Sequence, residues 1–353
     1  MTSPGSRLID DDFDGQVNAI AFSQDSRLVA FGGDGGTVQV RSLGLGPRST
    51  VAANKSTVSS LAFSPDGTSL AMADLDEVQV FDVATGVLRW SGPIEASASV
   101  NTVAFTPDGT SLVAVTNTVV TVVDVTTQKV LSHIDTPQQI AGIDVSADGT
   151  LLALAIDQRH GADHHNAGTA QVWDWAKTSK VFESPPLAAV FAIALSSDTP
   201  TSMVAFGCAD DSTQTHLLSD PAQPLWIEGG EEDRQAGKAV IGASHIAFGP
   251  RGKNVILGDA GGFARVLDAE SGIQRTRAEH AGAVTHVALL NNGKWAVSTG
   301  IDDMLTVFNA EKDGQLYTVS TRETQAMAVS SNSRFIALGH LGSYTVYDNG
   351  EGA

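Results

Sequence analysis

At 353 residues the chain is long for one domain by simple length rules, yet no low-complexity linker divides it. Its net charge of −19 disfavours nucleic acid, where Lys and Arg must neutralise phosphates, and equally disfavours an anionic membrane surface. The single cysteine excludes intramolecular disulfides, no basic-then-apolar leader opens the chain and no run reaches about 18 apolar residues, so a reducing, cytoplasmic location without membrane contact is expected.

From the N-terminus, the first short strand candidate is Arg7-Leu-Ile9, followed by Asp10-Asp11-Asp12, which reads as a solvated flank that blunts a sheet edge. Val17-Asn-Ala-Ile-Ala-Phe22 then opens a phrase that recurs eight times. Anchored on the fourth residue of its first strand, the copies fall at Ile20, Leu61, Val103, Ile143, Ile193, Ile246, Val287 and Met327. The steps are 40 to 42 residues except for two of 50 and 53. A fixed period of this size marks a unit that buries its faces only by stacking on neighbours.

Within each copy an apolar run rich in residues suited to a pleated surface leads to a turn such as Ser64-Pro65-Asp66-Gly67 or Thr106-Pro107-Asp108-Gly109. Pro pre-sets the turn and Gly takes a positive φ cheaply. A second strand follows (Leu151-Leu-Ala-Leu-Ala155), then a third (Val78-Gln-Val-Phe81, Ala170-Gln-Val-Trp173, Tyr344-Thr-Val-Tyr347) and a weaker fourth (Lys129-Val-Leu-Ser-His-Ile134). Four short antiparallel strands per unit predict an all-β chain: a single closed β-propeller of four-stranded antiparallel blades over 1–353, with eight blades and seven as the alternative.

These phrases resemble the WD40-repeat family over nearly the full length. Trp173-Asp174 matches its closing dipeptide, and Phe81-Asp82, Leu267-Asp268 and Tyr347-Asp348 are relaxed versions. The seventh copy keeps most of the family's internal polar set in Glu279-His280, Ser298 and Asp302, with Phe308 where a Trp would complete it; Arg41 replaces the aromatic in copy one. The resemblance implies that one terminus completes the blade begun by the other, so a strand near residues 7–9 is expected to close the last blade, 325–348, and remove an exposed edge.

Two insertions account for the long steps. The first is Gln158-Arg-His-Gly-Ala-Asp-His-His-Asn-Ala-Gly168, between the second and third strands of copy four. The second runs from Glu228-Gly-Gly-Glu-Glu-Asp-Arg234 to Ala243, between copies five and six. In a propeller both connections emerge on one face, and loops on a rigid scaffold carry function. The expected partner-binding residues are therefore His160, Asp163, His164, His165, Glu228, Glu231, Glu232, Asp233 and Arg234. Three imidazoles and a carboxylate also suit a divalent metal, but adjacent His164 and His165 point apart and no paired ligand spacing supports one, so no metal and no cofactor are expected.

His245 and His286 hold the same first-strand position in adjacent copies, placing two imidazoles near the mouth of a central channel. Asp144 stands where the other seven copies have Ala. A carboxylate packed there needs a partner or a shifted pKa. Trp173 is expected to anchor blade packing, Trp175 to be core or a surface contact, and Cys208 to be a buried small hydrophobe. No nucleophile elbow, Walker sequence or dinucleotide fingerprint is present. The leading expectation is a non-enzymatic scaffold, a monomeric ring that takes a protein or peptide, a basic one by charge, on its loop-decorated face. The alternatives are a hydrolase or lyase at the channel mouth, using Asp144, His245 and His286, and a metal- or small-ligand-binding propeller.

Overall fold

The structure, a computed structural model, describes residues 3–44, 49–53, 56–74, 77–92, 100–136, 138–146, 148–157, 168–196, 202–229, 243–290 and 293–350. Apart from two single 3₁₀ turns, Asp34–Gly36 and Pro250–Gly252, every regular element among these residues is a strand. No helix among them is long and apolar enough to cross a membrane.

Copy two shows how the sequence builds the unit. Ser60–Phe63, Ser69–Ala73, Val78–Asp82 and Leu88–Gly92 form an antiparallel meander, with Leu61 opposite Met72 and Ala71 opposite Val80. The first turn is tied by its own side chains. Ser64 Oγ donates to Asp66 Oδ1 at 2.6 Å, the Gly67 amide donates to the Ser64 carbonyl, and Gly67 takes φ +70°. The same hydroxyl-to-acid bond recurs between Thr106 and Asp108, Ser146 and Asp148, and Ser23 and Asp25, each at 2.6 Å. These hydroxyls are the main reason that the four carboxyls sit below the usual carboxylate range. Ser330 and Asn332 form the amide version in copy eight, so the turn survives where the Pro-Asp-Gly spelling is lost. The acid ending the third strand caps the next turn: Asp82 accepts from the Thr85 hydroxyl (2.8 Å) and amide (2.9 Å) and from Arg89, and is held at about 2.

Among the described residues the hydrogen-bonded sheets number seven, six of four strands and one of seven, where eight copies predicted eight separate blades. One long strand is the cause. Ser6–Phe22 pairs through its first part with Leu341–Asp348 of copy eight (Arg7 opposite Tyr347, Asp12 opposite Ser343), and through Val17–Phe22 with Leu28–Gly33 of copy one. Copies one and eight therefore lie in one sheet. Gly15, at φ +92°, lies in the register shift between Asp12 and Gln16 of the pairing with Leu341–Asp348.

The expected solvated flank holds for Asp10 and Asp12, which are exposed, but the segment is a paired strand and Asp11 is half-buried. These residues lie within the pairing with copy eight. Asp11 accepts from Arg41 Nη2 at 2.6 Å and from the Tyr344 hydroxyl at 3.4 Å, and Asp10 accepts from Arg7 and from the Thr345 hydroxyl. Arg41, the basic residue in an aromatic position, is thus the counterion of the closing strand. Tyr344 is fully buried, stacks on Phe31 with ring centroids 3.8 Å apart and donates to Gln39 Oε1 at 3.2 Å.

Residues pack as two compact units, Met1–Asp135 with Arg322–Ala353, and Thr136–Thr321. In each, the second and third strands bury one face against the next copy. Ala30, Val38 and Val40 meet Val58, Leu61, Leu70 and Met72 in the first unit. Ala153, Ala155, Ala170 and Val172 meet Val190, Ile193, Val204 and Phe206 in the second. Full burial of each large apolar side chain contributes about 1.5–3 kcal/mol. The approach is close enough to demand Gly258, where a Cβ would stand 2.7 Å from Val284 Cγ1 and 2.8 Å from Val287 Cγ1.

Candidate functional site

Of the expected partner-binding residues, His160, Asp163, His164, His165, Glu231, Glu232, Asp233 and Arg234 lie outside the described residues. The strands that launch both insertions are described. Asp157 pairs with Gly168 at the base of the first, and Gly168 forms a two-way backbone bridge with Leu187 on the connection leading into copy five. A strand-two-to-three loop and a strand-four-to-one connection thus meet at one end of the sheet. Glu228, at the root of the second insertion, ends Asp220–Glu228 opposite Thr213 and pairs with Arg265, whose other nitrogen lies 3.4 Å from Asp259. Burial pushes the Asp259 carboxyl up, against the pull of three backbone amides and Arg265. No spacing in the sequence signals this acid–Arg–acid chain, because its members come from three strands.

His245 and His286 come together: ring centroids lie 5.7 Å apart with planes at 39°. Hydroxyls orient both rings, Ser244 Oγ 3.1 Å from His245 Nδ1 and Thr299 Oγ1 3.3 Å from His286 Nδ1. Burial lowers the pKa of His245, which keeps its ring neutral at pH 7. Asp144 does not join this pair. Its Oδ1 accepts from the Val145 amide at 2.9 Å and its Oδ2 from the Leu195 amide of the next copy at 2.8 Å. Burial pushes the carboxyl up to about 6, against those two amides. Asp144 lies in the wall of a hollow of about 480 Å³ between the first strands Gln139–Val145, Val190–Leu195 and Ala243–Phe248.

A serine, a histidine and an acid do line up, in copy seven. His280 Nδ1 is 3.0 Å from Asp302 Oδ1 and its Nε2 is 2.8 Å from Ser298 Oγ. The carboxylate fixes the proton on Nδ1, so the serine hydroxyl donates to Nε2, the polarity of a hydrolytic triad; what sets this group apart is its access. Ser298 and the His280 side chain are both fully buried, out of reach of any substrate. The set is a structural lock between the start of one strand and the turn of another. Phe308, 1% exposed, occupies the position where a Trp would have donated to it.

Trp173 is half-buried and donates to Gln171 Oε1 at 3.0 Å, and Trp175 donates to the Gly149 carbonyl at 2.6 Å, tying the third strand to the first turn of its own copy. His216 takes the Trp173 position in copy five and makes the equivalent contact, Nε2 3.3 Å from Gln214 Oε1, while stacking on Phe206. Cys208 is buried and burial pushes its thiol up to about 12, which makes it inert.

Residues 9–42, 46–78 and 272–309 match the family model of the WD domain, G-beta repeat. These three segments carry WD40 repeats, and the fold is a β-propeller. Solved propellers cover nearly all of it. Sqt1 from Chaetomium thermophilum superposes with a TM-score of 0.81 at 16% identity, covering 99% of this chain and 100% of that one. The same protein bound to the N-terminus of ribosomal protein L10 gives 0.77 at 17% identity, covering 98% and 100%. The Dos1 propeller gives 0.78 at 13% identity, covering 98% and 95%. No curated protein matches the sequence. In the WD40 frame the His280–Asp302–Ser298 set is the polar core of copy seven, and the irregular residues of the repeat, Asp144, His245 and His286, are additions to it.

Proposed function

We propose that this WD40-repeat chain is a non-enzymatic scaffold that takes a protein or peptide partner. The observation that carries this reading is the propeller fold shared over almost the whole chain with Sqt1, a protein whose solved structure includes one bound to the N-terminus of a ribosomal protein. A net charge of −19 favours a basic partner through electrostatic steering. The burial of Ser298 and His280 argues against a hydrolytic role for that set. The binding face is the one bearing the insertions at 158–168 and 228–243, with His160, Asp163, His164, His165, Glu228, Glu231, Glu232, Asp233 and Arg234 as contact residues, and the protein acts as a monomer in the cytoplasm.

The test is capture of partners from lysate with the full chain and with a variant lacking 160–167 and 229–237, read by mass spectrometry. The variant should keep its melting transition and lose the main partner, and the capture should weaken as salt rises. Retention of the partner by the variant would move the site off these loops. The second reading, an enzyme, is favoured only by the approach of His245 to His286.

A further inference from the structure

We propose that the hollow between the first strands of copies four, five and six binds an alkylammonium group, an apolar stem carrying a primary cation. Its walls are Ile143, Val145, Ile193, Leu195, Ile246 and Phe248, with Asp144 as the charged residue among the nine that line it. A volume of about 480 Å³ lies in the range of small-ligand sites, which combine an apolar lining with a few placed polar groups.

The carboxylate sets the ligand class. Each Asp144 oxygen accepts one backbone amide, and an ionised carboxylate has about four acceptor positions, so both oxygens retain capacity. Other acids of the chain have basic partners: Asp11 with Arg41, Asp174 with Lys177, Asp268 with Arg275, Asp348 with Arg334. Asp144 pairs with no Lys, Arg or His among the described residues. Its position is also one the fold does not require to be acidic, since Ala21, Ala62, Ala104, Ala194, Ala247, Ala288 and Ala328 hold it in the other copies. A carboxylate set in an apolar wall without a counterion is costly, and an incoming ammonium relieves that cost with a charge-assisted hydrogen bond. The aliphatic lining residues accept the stem. An anionic ligand is repelled, and a neutral alkyl chain leaves the acid unpartnered.

The group can come from a free amine or from a lysine side chain; the second source alone rests on the peptide-binding reading above. The experiment titrates the full chain with pentylammonium, with pentan-1-ol of matched shape, and with Nα-acetyl-lysine methylamide, by amide chemical-shift changes at pH 7.5. Wild type should bind pentylammonium at least about tenfold more tightly than the alcohol, with shifts centred on Val145 and Leu195. Asp144→Ala and Asp144→Asn, checked for an intact melting transition, should erase the preference. Tighter binding of the lysine derivative than of pentylammonium assigns a protein side chain; the reverse assigns a free amine. Equal affinity for amine and alcohol, no binding of the amine, or an undiminished preference in both variants overturns the proposal. Because the probes are small molecules, a failure of partner capture leaves this result standing, and the converse also holds.

Discussion

Replacing Asp144 with Ala should flatten one part of the stability–pH profile, by an amount the structure fixes. The Asp144 carboxyl titrates near 6 in the fold because burial outweighs the amides of Val145 and Leu195, against about 4 in an unfolded chain. The folded state therefore holds the proton more tightly than the unfolded state. Its stabilising contribution is complete below about pH 4 and is lost as pH rises through 6. At about 1.4 kcal/mol per tenfold change in affinity, the full displacement corresponds to about 3 kcal/mol, mostly lost between pH 4 and 6.5. The residue as a whole is half-buried, so about 2 kcal/mol is the expected difference. The assay is urea unfolding of wild type and Asp144→Ala at pH 4.5, 5.5, 6.5 and 7.5. Losing the two amide contacts displaces the variant by a constant. The turn acids Asp25, Asp66, Asp108 and Asp148, all held low, stabilise above their pKa values in both proteins and cancel in the difference. The variant should gain on wild type steadily from pH 4.5 to 6.5 and then run parallel. Parallel profiles throughout would show that the carboxyl is not desolvated, and the argument would fail.

Removing residues 1–12 deletes the strand paired with Leu341–Asp348 together with the Asp11–Arg41 and Asp11–Tyr344 contacts, and should lower the melting temperature by several degrees in a thermal scan. His280→Ala leaves Ser298 and Asp302 without their shared partner and opens a buried gap, which should cost about 2–4 kcal/mol by chemical denaturation. Alkylation of Cys208 under native conditions at pH 8 should be negligible and become complete in denaturant, since the thiol is buried and held near 12.

The fold was legible because its information is local and repeated. A hydroxyl two residues before an acid makes the first turn in four copies whatever lies between, and the alternation of turns and apolar runs marks the strands within a copy. What resisted reading was anything joining distant strands. Asp11 looked like part of a solvated acidic run, because its partners Arg41 and Tyr344 lie 30 and 333 residues away. The same long strand reduces the sheet count to seven, since nothing in a linear pattern says where one sheet stops and the next begins when a strand serves both.

The candidate site divides along the same line. His245 and His286 could be paired from sequence because equal positions in adjacent copies are neighbours by construction, and their rings do approach to 5.7 Å. The same logic isolates Asp144, whose equivalent in the next copy is Ala194; its oxygen reaches past that methyl group to a backbone amide instead. A repeat therefore predicts contacts between like positions and says nothing about what fills the space left when one is small. Ala194 and Ala247 beside Asp144 leave the hollow open, whereas His245 and His286 fill theirs with rings. An acid flanked by two alanines in register is thus the sequence signature of an unfilled position beside a charge. That signature, more than the histidines, directs the search for a ligand to copies four to six.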